Sequence, residues 1–142
     1  MLSNVSLCDK APTLACPPVD DWSLFRGAHP AALLIGSASN ATAALVRLRP
    51  NLRPPLVHWW PWAVGEPPQT TTGTLVMWDV DSLSERQQAQ LLTWLESRVP
   101  NVQVISISER PLFPLVQRKE FLDSLYYRLN AVCVELSSVE GP

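Results

Sequence analysis

The feature that most constrains the fold is an alternation of short, continuous apolar runs with segments whose apolar residues have helical spacing. The apolar runs are residues 31–36, 55–60, 73–80, 102–108 and 131–136, and the helical patterns occupy 40–49, 82–99 and 118–130. Strands that are apolar throughout and alternate with helices are typical of a parallel sheet covered on both faces. We therefore predict a three-layer α/β domain with a parallel sheet of about five strands.

This sheet domain is predicted to occupy residues 31–136 of the 142-residue chain, a length typical of one domain. Residues 1–30 are interrupted by prolines and weakly patterned, so we predict an irregular N-terminal segment with one short helix at 20–25. Residues 137–142 are predicted to form a short tail.

Composition disfavours several classes of function. The net charge is −2 and like charges form no block, which argues against binding to a nucleic-acid phosphate backbone. No apolar run approaches the roughly 20 residues of a membrane span, and the N-terminus lacks the pattern of a signal peptide. Cys8, Cys16 and Cys133 have no zinc-site spacing, so we expect a reducing cytoplasm and no membrane partner.

Three arginines form the densest basic group in the chain. Arg47, Arg49 and Arg53 lie on either side of Pro50. We interpret them as the solvated end of a helix, and an anion-binding site is the alternative.

Three sequence blocks resemble a known family. They are GTLVMWDVDSLSERQQAQLLTWLE (73–96), NVQVISISERPL (101–112) and FLDSLYYRLN (121–130). They resemble the AAA+ domain of bacterial sigma-54-dependent transcription activators, which shows G-T-L-F-L-D-E-I, Q-x-x-L-L-x-x-L and F-R-x-D-L-Y-x-R-L-N. The resemblance covers residues 73–136, and more loosely 31–49. It implies an AAA+ (P-loop NTPase) core and, for intact members, a ring ATPase that remodels sigma-54 RNA polymerase.

The phosphate-binding loop of the family aligns with a stretch that has lost most of its motif. The family has G-E-S-G-T-G-K-E at this point, and the aligned residues that could retain a cofactor contact are Gly36, Ser37, Ser39, Asn40 and Thr42. Only the first glycine is kept, and Thr42 stands where the lysine should contact the phosphates. We therefore expect a vestigial loop that forms a strand-to-helix turn capped by Ser39 or Asn40, with no bound nucleotide.

The metal-binding strand has also changed. The resemblance aligns the family's Asp-Glu pair with Trp78 and Asp79. Indole cannot bind magnesium, so no metal is expected, and Asp79 is interpreted as vestigial. Asp81 and Ser82 are predicted to begin the next helix, with Ser82 and Glu85 matching a capping box.

Two further family positions are only partly kept. The polar residue that senses the γ-phosphate aligns with Ser108 or Glu109, and an acid there would repel nucleotide. Of two arginines that reach a neighbouring subunit, the first aligns with Leu122 and the second is Arg128. We predict that Arg128 is vestigial and anchors its helix to Glu135 or to a backbone carbonyl.

The family's sigma-54 contact loop and helical lid have no counterpart in this sequence. Only twelve residues separate Trp60 from Gly73, where the family inserts a long segment containing G-A-F-T-G-A. Only SSVEGP follows the fifth predicted strand, where the lid would be. Direct contact with sigma-54 is therefore not expected.

The sequence is rich in tryptophan, with six in all. Trp59, Trp60 and Trp62 are our candidates for an interaction surface, because aromatic residues are enriched at protein interfaces. Trp59 and Trp60 should point to opposite sides of a strand, so at least one is expected at the surface. The alternative is that these residues fill the space of the lost nucleotide. His58 has no partner at catalytic spacing.

Three hypotheses for function follow. The first, which we favour, is a non-catalytic relic of the activator domain, not an enzyme, that contacts an unidentified protein in transcription regulation or signalling. The second is a weak ATP- and magnesium-binding subunit that self-associates through Arg128. The third is a module that stacks single-stranded nucleic acid on its tryptophans.

Overall fold

The computed structural model describes the backbone of residues 3–6 and residues 31–66, 68, 72–97 and 102–136. The helix predicted at 20–25 and the tail at 137–142 lie outside these ranges. The elements are β1 (Ser3–Ser6), β2 (Ala32–Ile35), α1 (Ala38–Leu48), β3 (Leu56–Trp59), β4 (Gly73–Met77), α2 (Glu85–Glu96), β5 (Val102–Ser108), α3 (Phe113–Gln117), α4 (Asp123–Leu129) and β6 (Val132–Leu136). Short 3₁₀ turns span Arg49–Asn51 and Val80–Ser82.

The strands form one sheet in the order β1-β6-β2-β5-β4-β3. Strands β2 to β6 are all parallel, which confirms the predicted five-stranded parallel sheet. A sixth strand, β1, pairs antiparallel with β6, from Ser3 opposite Leu136 to Ser6 opposite Cys133. These residues fall in the segment 1–30, for which its prolines and weak patterning predict irregular structure, so β1 is not anticipated from the sequence.

Alternating side chains of the strands divide the core between two faces. On the three-helix face, Leu33, Leu75 and Met77 pack with buried residues of α2, α3 and α4. On the α1 face, Leu34 and Val76 pack with the apolar stripe of α1, whose buried residues are Ala41, Ala44, Leu45 and Leu48. The sheet is therefore covered on both sides, as the continuous apolar runs predict.

The carboxyl ends of the parallel strands all lie at the same end of the sheet. Two backbone hydrogen bonds continue the ladders past the strand ends, from Gly36 N to Ser108 O and from Trp78 N to Trp59 O, both 2.9 Å. The segments that follow β2, β3, β4 and β5 therefore start side by side. In open α/β sheets, ligands bind beyond these carboxyl ends of the strands.

Candidate functional site

The turn from β2 to α1 is a short, locally capped connection. Ser37 is the N-cap of α1, and its hydroxyl accepts a hydrogen bond of 3.1 Å from the Asn40 amide. The Ala41 amide donates to the Ser37 carbonyl at 2.9 Å, as in a regular helix. The predicted capping by Ser39 or Asn40 is wrong, because α1 begins at Ala38 and places both residues inside its first turn.

Two other hydroxyl groups of this stretch also have local contacts. The Thr42 hydroxyl donates to the Ala38 carbonyl at 2.8 Å, and the Ser39 hydroxyl lies 3.3 Å from that of Ser37. A Cβ at Gly36 would lie 2.9 Å from Cβ of Leu136, closer than real Cβ contacts. Close packing against β6 is therefore sufficient to explain the one glycine that this loop shares with the family motif.

An aromatic cluster of His58, Trp60 and Trp78 occupies the α1-face end of β3 and β4. The Trp78 indole is only 8% exposed, and its Nε1 donates to His58 Nδ1 at 3.1 Å. The Trp60 ring is near-parallel to both rings, with centroids 5.7 Å from each and interplanar angles of 11° to Trp78 and 19° to His58. The Trp78 and His58 rings are themselves 6.1 Å apart between centroids at 28°, and Trp60 is stacked against the pair.

The hydrogen bond from Trp78 defines the protonation state of His58 in this arrangement. His58 Nδ1 accepts a hydrogen bond from the indole N–H, so the imidazole is neutral and carries its own proton on Nε2. Partial burial, and secondarily the positive charge of Arg49, lower the pKa of His58 below its usual 6.5. Both effects favour the neutral form that the hydrogen bond requires.

Asp79 and Asp81 follow β4 but have separate partners. Asp79 has left-handed backbone angles (φ 56°, ψ 46°), and its carboxylate accepts a 3.0 Å hydrogen bond from Trp62 Nε1. Asp81 forms an ion pair of 3.1 Å with Arg110. Within residues 31–66, 68, 72–97 and 102–136, no group of three His, Cys, Asp or Glu side chains is placed to hold a metal ion.

The start of α2 differs from the prediction. Ser82 closes the 3₁₀ turn, its hydroxyl donating to the Asp79 carbonyl at 2.7 Å. The capping box is formed two residues later, by Ser84 and Gln87. The prediction of a box from Ser82 and Glu85 is therefore wrong, because the left-handed Asp79 inserts a 3₁₀ turn between β4 and α2.

The polar residue after β5 is held by its own loop. Ser108 is buried, and its hydroxyl bonds to the carbonyl of Arg110 and accepts from the Arg110 amide at 3.2 Å. Glu109 is exposed beside it. The Ser108 hydroxyl therefore orients Arg110 toward the Asp81 ion pair.

Arg128 does not anchor its helix. It lies on the exposed side of α4, and across the described part of the chain its guanidinium has no hydrogen bond or ion pair with another residue. The predicted contact with Glu135 or a backbone carbonyl is wrong, because the neighbouring Leu129 faces the core and turns Arg128 outward.

The three candidate tryptophans have different environments. Trp59 is 2% exposed on the three-helix face, and its Nε1 donates to the Val64 carbonyl at 2.7 Å, so it is a core residue and not a surface candidate. Trp60 and Trp62 are 39% and 67% exposed. The prediction that Trp59 and Trp60 face opposite sides is confirmed. We call Trp60, Trp62 and the 60%-exposed Val64 the tryptophan surface.

Two residues of this region were missed by the sequence analysis. His58 is the partner of Trp78, and Gln87 holds the loop of the tryptophan surface, its Nε2 donating to the carbonyls of Pro61 at 3.0 Å and Gly65 at 3.1 Å. The first contact depends on the register of β3 on β4, which sets His58 opposite Val76 and is not encoded by a sequence motif. No sequence pattern indicates the second.

Comparison with known proteins gives both sequence and fold matches. The sequence profile of the sigma-54 interaction domain matches residues 66–139. The chain is 33% identical over 84 residues to the pathogenicity locus probable regulatory protein WtsA of Pantoea stewartii subsp. stewartii, covering 51% of this chain and 26% of that protein. It is 34% identical over 79 residues to the HTH-type transcriptional regulatory protein TyrR of Enterobacter agglomerans, covering 48% and 15%. The chain spans about a quarter or less of these relatives.

Solved structures have the same fold at low identity. NtrX from Brucella abortus in complex with ADP superposes with a TM-score of 0.65 at 16% identity, covering 81% of this chain and 34% of that one. The P-loop NTPase domain of a sigma-54 transport activator from E. coli superposes with a TM-score of 0.56 at 19% identity, covering 82% and 90%. No helix in the described ranges is long and apolar enough to cross a membrane.

Proposed function

The chain belongs to the sigma-54 interaction domain family, and from this premise we propose that it is a non-catalytic member that acts by protein–protein contact in transcription regulation. The link to transcription regulation is supported by the two regulatory relatives. Access to transcription proteins makes the cytoplasm the proposed compartment.

The observation that carries this proposal is the position of Trp78. The resemblance places a magnesium-binding aspartate here, and the indole is instead packed in the aromatic cluster and hydrogen-bonded to His58. An indole N–H donates hydrogen bonds and has no lone pair for a cation, so the side chain cannot replace a carboxylate. The bonded Trp78–His58 pair also resists displacement, because moving it would leave a part-buried donor unsatisfied.

The phosphate loop supports the same conclusion. A P-loop binds phosphates with converging backbone N–H groups and a lysine. Here the Asn40 and Ala41 amides donate to Ser37, and Thr42 replaces the lysine with a hydroxyl that bonds inside the helix. A hydroxyl therefore stands at the lysine position, and two of the amides at the start of α1 are already hydrogen-bonded.

The tryptophan surface supports protein contact. Trp60 and Trp62 are exposed aromatic residues whose positions are fixed by contacts. Trp60 is stacked on Trp78, and Trp62 donates a hydrogen bond to Asp79. Rigid aromatic side chains lose little conformational entropy on binding, which is one reason that they dominate interface energetics.

Thermal unfolding with and without Mg-ATP tests the non-catalytic part of the proposal. A ligand present at about 100 times its Kd stabilises the folded state by about 2.7 kcal/mol, so a useful site would raise the melting temperature by several degrees. We expect no shift at about 5 mM Mg-ATP. A reproducible shift that requires magnesium would overturn the proposal.

Affinity capture from host cells tests the protein-contact part. Wild-type bait is compared with a Trp60→Ser/Trp62→Ser variant and with Tyr127→Ser, an exposed aromatic control on α4. We expect proteins that are captured by the wild type and the control but lost with the double variant. Equal capture by all three baits would contradict a role for the tryptophan surface.

A second candidate function is supported by the exposure of Arg128. An outward arginine is available to a neighbouring subunit, as in a nucleotide-dependent assembly. Light scattering distinguishes the candidates: growth of the particle on adding Mg-ATP, lost in Arg128→Gln, would support the second. A particle size that does not change on adding Mg-ATP would exclude the second candidate.

A further inference from the structure

The free edge of β3 has the geometry of a docking site for an extended chain. Among the described strands, β3 is the last of the sheet, and it pairs with β4 on one side and with no described strand on the other. The carbonyls of Pro55 and Trp59 accept from the Thr74 and Trp78 amides of the β4 side, at 3.0 and 2.9 Å. Along a strand of a parallel ladder, the N–H and C=O groups of successive residues point alternately to its two sides. Those of Leu56 and His58 therefore point away from β4, to the free edge.

A groove of about 610 Å³ runs beside this edge. It is lined by Arg49, Pro50, Leu52, Pro54, Pro55, Leu56 and His58. The residues whose backbone groups face the free edge, Leu56 and His58, therefore also project their side chains into the groove. An added strand would pair with their backbone and place alternate side chains among the proline and leucine walls.

The charge of the groove favours an acidic occupant. Arg49 is exposed and, as far as the described residues extend, its guanidinium has no hydrogen bond or ion pair. His58 Nδ1 is engaged by Trp78, which leaves its Nε2–H as a further donor. Although the whole chain has a net charge of −2, this groove offers a guanidinium and a hydrogen-bond donor, and none of its described lining residues carries a carboxylate.

We propose that the β3 edge and its groove bind an extended acidic peptide segment of a partner protein. The segment adds a strand to β3, places an Asp or Glu carboxylate at Arg49, and sets apolar side chains on Leu52, Leu56 and the prolines. This inference rests on the proposed function only in requiring a protein partner, and it names a site distinct from the tryptophan surface.

Selection from a displayed library of random heptapeptides on the intact chain tests the site directly. We expect binders with an Asp or Glu fixed at one position and apolar residues two positions away, since side chains alternate along a strand. Binders without a fixed acid, or an absence of binders, would overturn the proposal. The Mg-ATP melting experiment does not depend on this result, so the two proposals can fail separately.

Matched variants locate the carboxylate. Arg49→Gln should weaken a selected acidic heptapeptide about fivefold, as for a partly exposed charge pair, and should not weaken its Glu-to-Gln analogue. Arg47→Gln, in the last turn of α1 and outside the groove lining, is the control and should retain affinity. Equal losses for both variants, or for both peptides, would contradict the assigned carboxylate position.

N-methylation of the selected peptide distinguishes strand addition from side-chain binding alone. Methyl groups on alternate amides should abolish binding, while those on the intervening amides should have little effect, because only one set faces β3. Uniform tolerance would overturn strand addition. A protein dimer that excludes the peptide would also count against the proposal, because the edge would then serve a second copy of the chain.

Discussion

The two faces of the sheet differ in which helices and side chains cover them. On the three-helix face, α2, α3 and α4 bury a continuous apolar cluster that includes Trp59. Gln88 joins these helices, its side chain donating to the carbonyls of Leu83 at 3.1 Å and Glu120 at 3.0 Å and accepting from the Leu122 amide at 2.8 Å. On the α1 face, α1 alone among the described helices covers the strands, and the aromatic cluster completes the carboxyl-end corner.

This difference shows which parts of the family resemblance reflect packing. Three apolar residues of the terminal block, Phe121, Leu125 and Leu129, are buried on the three-helix face. The positions that the resemblance assigns to nucleotide chemistry, Thr42 and Trp78, lie on the α1 face. Core packing is therefore enough to explain why residues 121–130 still resemble the family. The presence of this block does not require that the protein hydrolyse ATP.

The largest expected effect concerns the three-helix core. Leu125 is fully buried, so Leu125→Ala should lower the free energy of unfolding by about 2–5 kcal/mol through lost burial and a cavity. Leu122→Ala, at a site that is 40% exposed on the same segment, is the control and should cost about 1 kcal/mol or less. Urea denaturation measures both, and equal small losses would contradict the packing explanation of the terminal block.

The next effect concerns the glycine shared with the phosphate-loop motif. Gly36→Ala should destabilise the protein by about 1–3 kcal/mol, because the new Cβ would meet Leu136. Gly65→Ala is the matched control, since nothing lies within 4 Å of its added Cβ. Partial rescue of Gly36→Ala by Leu136→Ala would assign the glycine to packing. A neutral Gly36→Ala would remove that assignment.

Helix capping should give a smaller effect on both faces. Ser84→Ala and Ser37→Ala should each lower stability by about 1 kcal/mol, because each removes the side-chain acceptor at a helix N-terminus. Ser82→Ala tests the corrected position of the α2 cap and should cost less than Ser84→Ala. Thermal unfolding of the three variants provides the comparison, and a larger loss for Ser82→Ala would restore the capping box originally predicted.

The smallest effect concerns pH and belongs to the α1 face. Because the folded pKa of His58 lies below 6.5, the unfolded chain binds more protons just below that pH. The stability contributed by neutral His58 should be fully present above pH 6.5 and lost as pH falls through the folded pKa. His58→Asn should flatten this part of the unfolding-versus-pH curve relative to wild type. Identical slopes in the two proteins would show that His58 does not contribute.

The parallel sheet was predictable because its strands are continuous apolar runs, a pattern that depends on local sequence. β1 was not predictable, because SNVS gains its strand conformation from pairing with β6 and not from its own composition. The start of α2 was misplaced for a similar reason. The left-handed conformation of Asp79 is accessible to Asp in many contexts and is not encoded by a distinctive motif.

The sequence predicts which residue types form the site better than it predicts which of them contact one another. The sequence was enough to predict that Trp59 and Trp60 face opposite sides, since side chains alternate along a strand. It could not indicate that Trp78 donates to His58, because that bond depends on the register of β3 and β4. The outward direction of Arg128 likewise depends on how α4 rotates to bury Leu125 and Leu129.

The most direct test of the account is calorimetric titration of the wild-type chain with Mg-ATP and Mg-ADP. We predict no saturable heat of binding with either nucleotide, because Trp78 and Thr42 stand where a carboxylate and a lysine would be needed. A magnesium-dependent isotherm with a Kd tighter than about 1 mM would contradict the central claim that this family member is non-catalytic through loss of its nucleotide site.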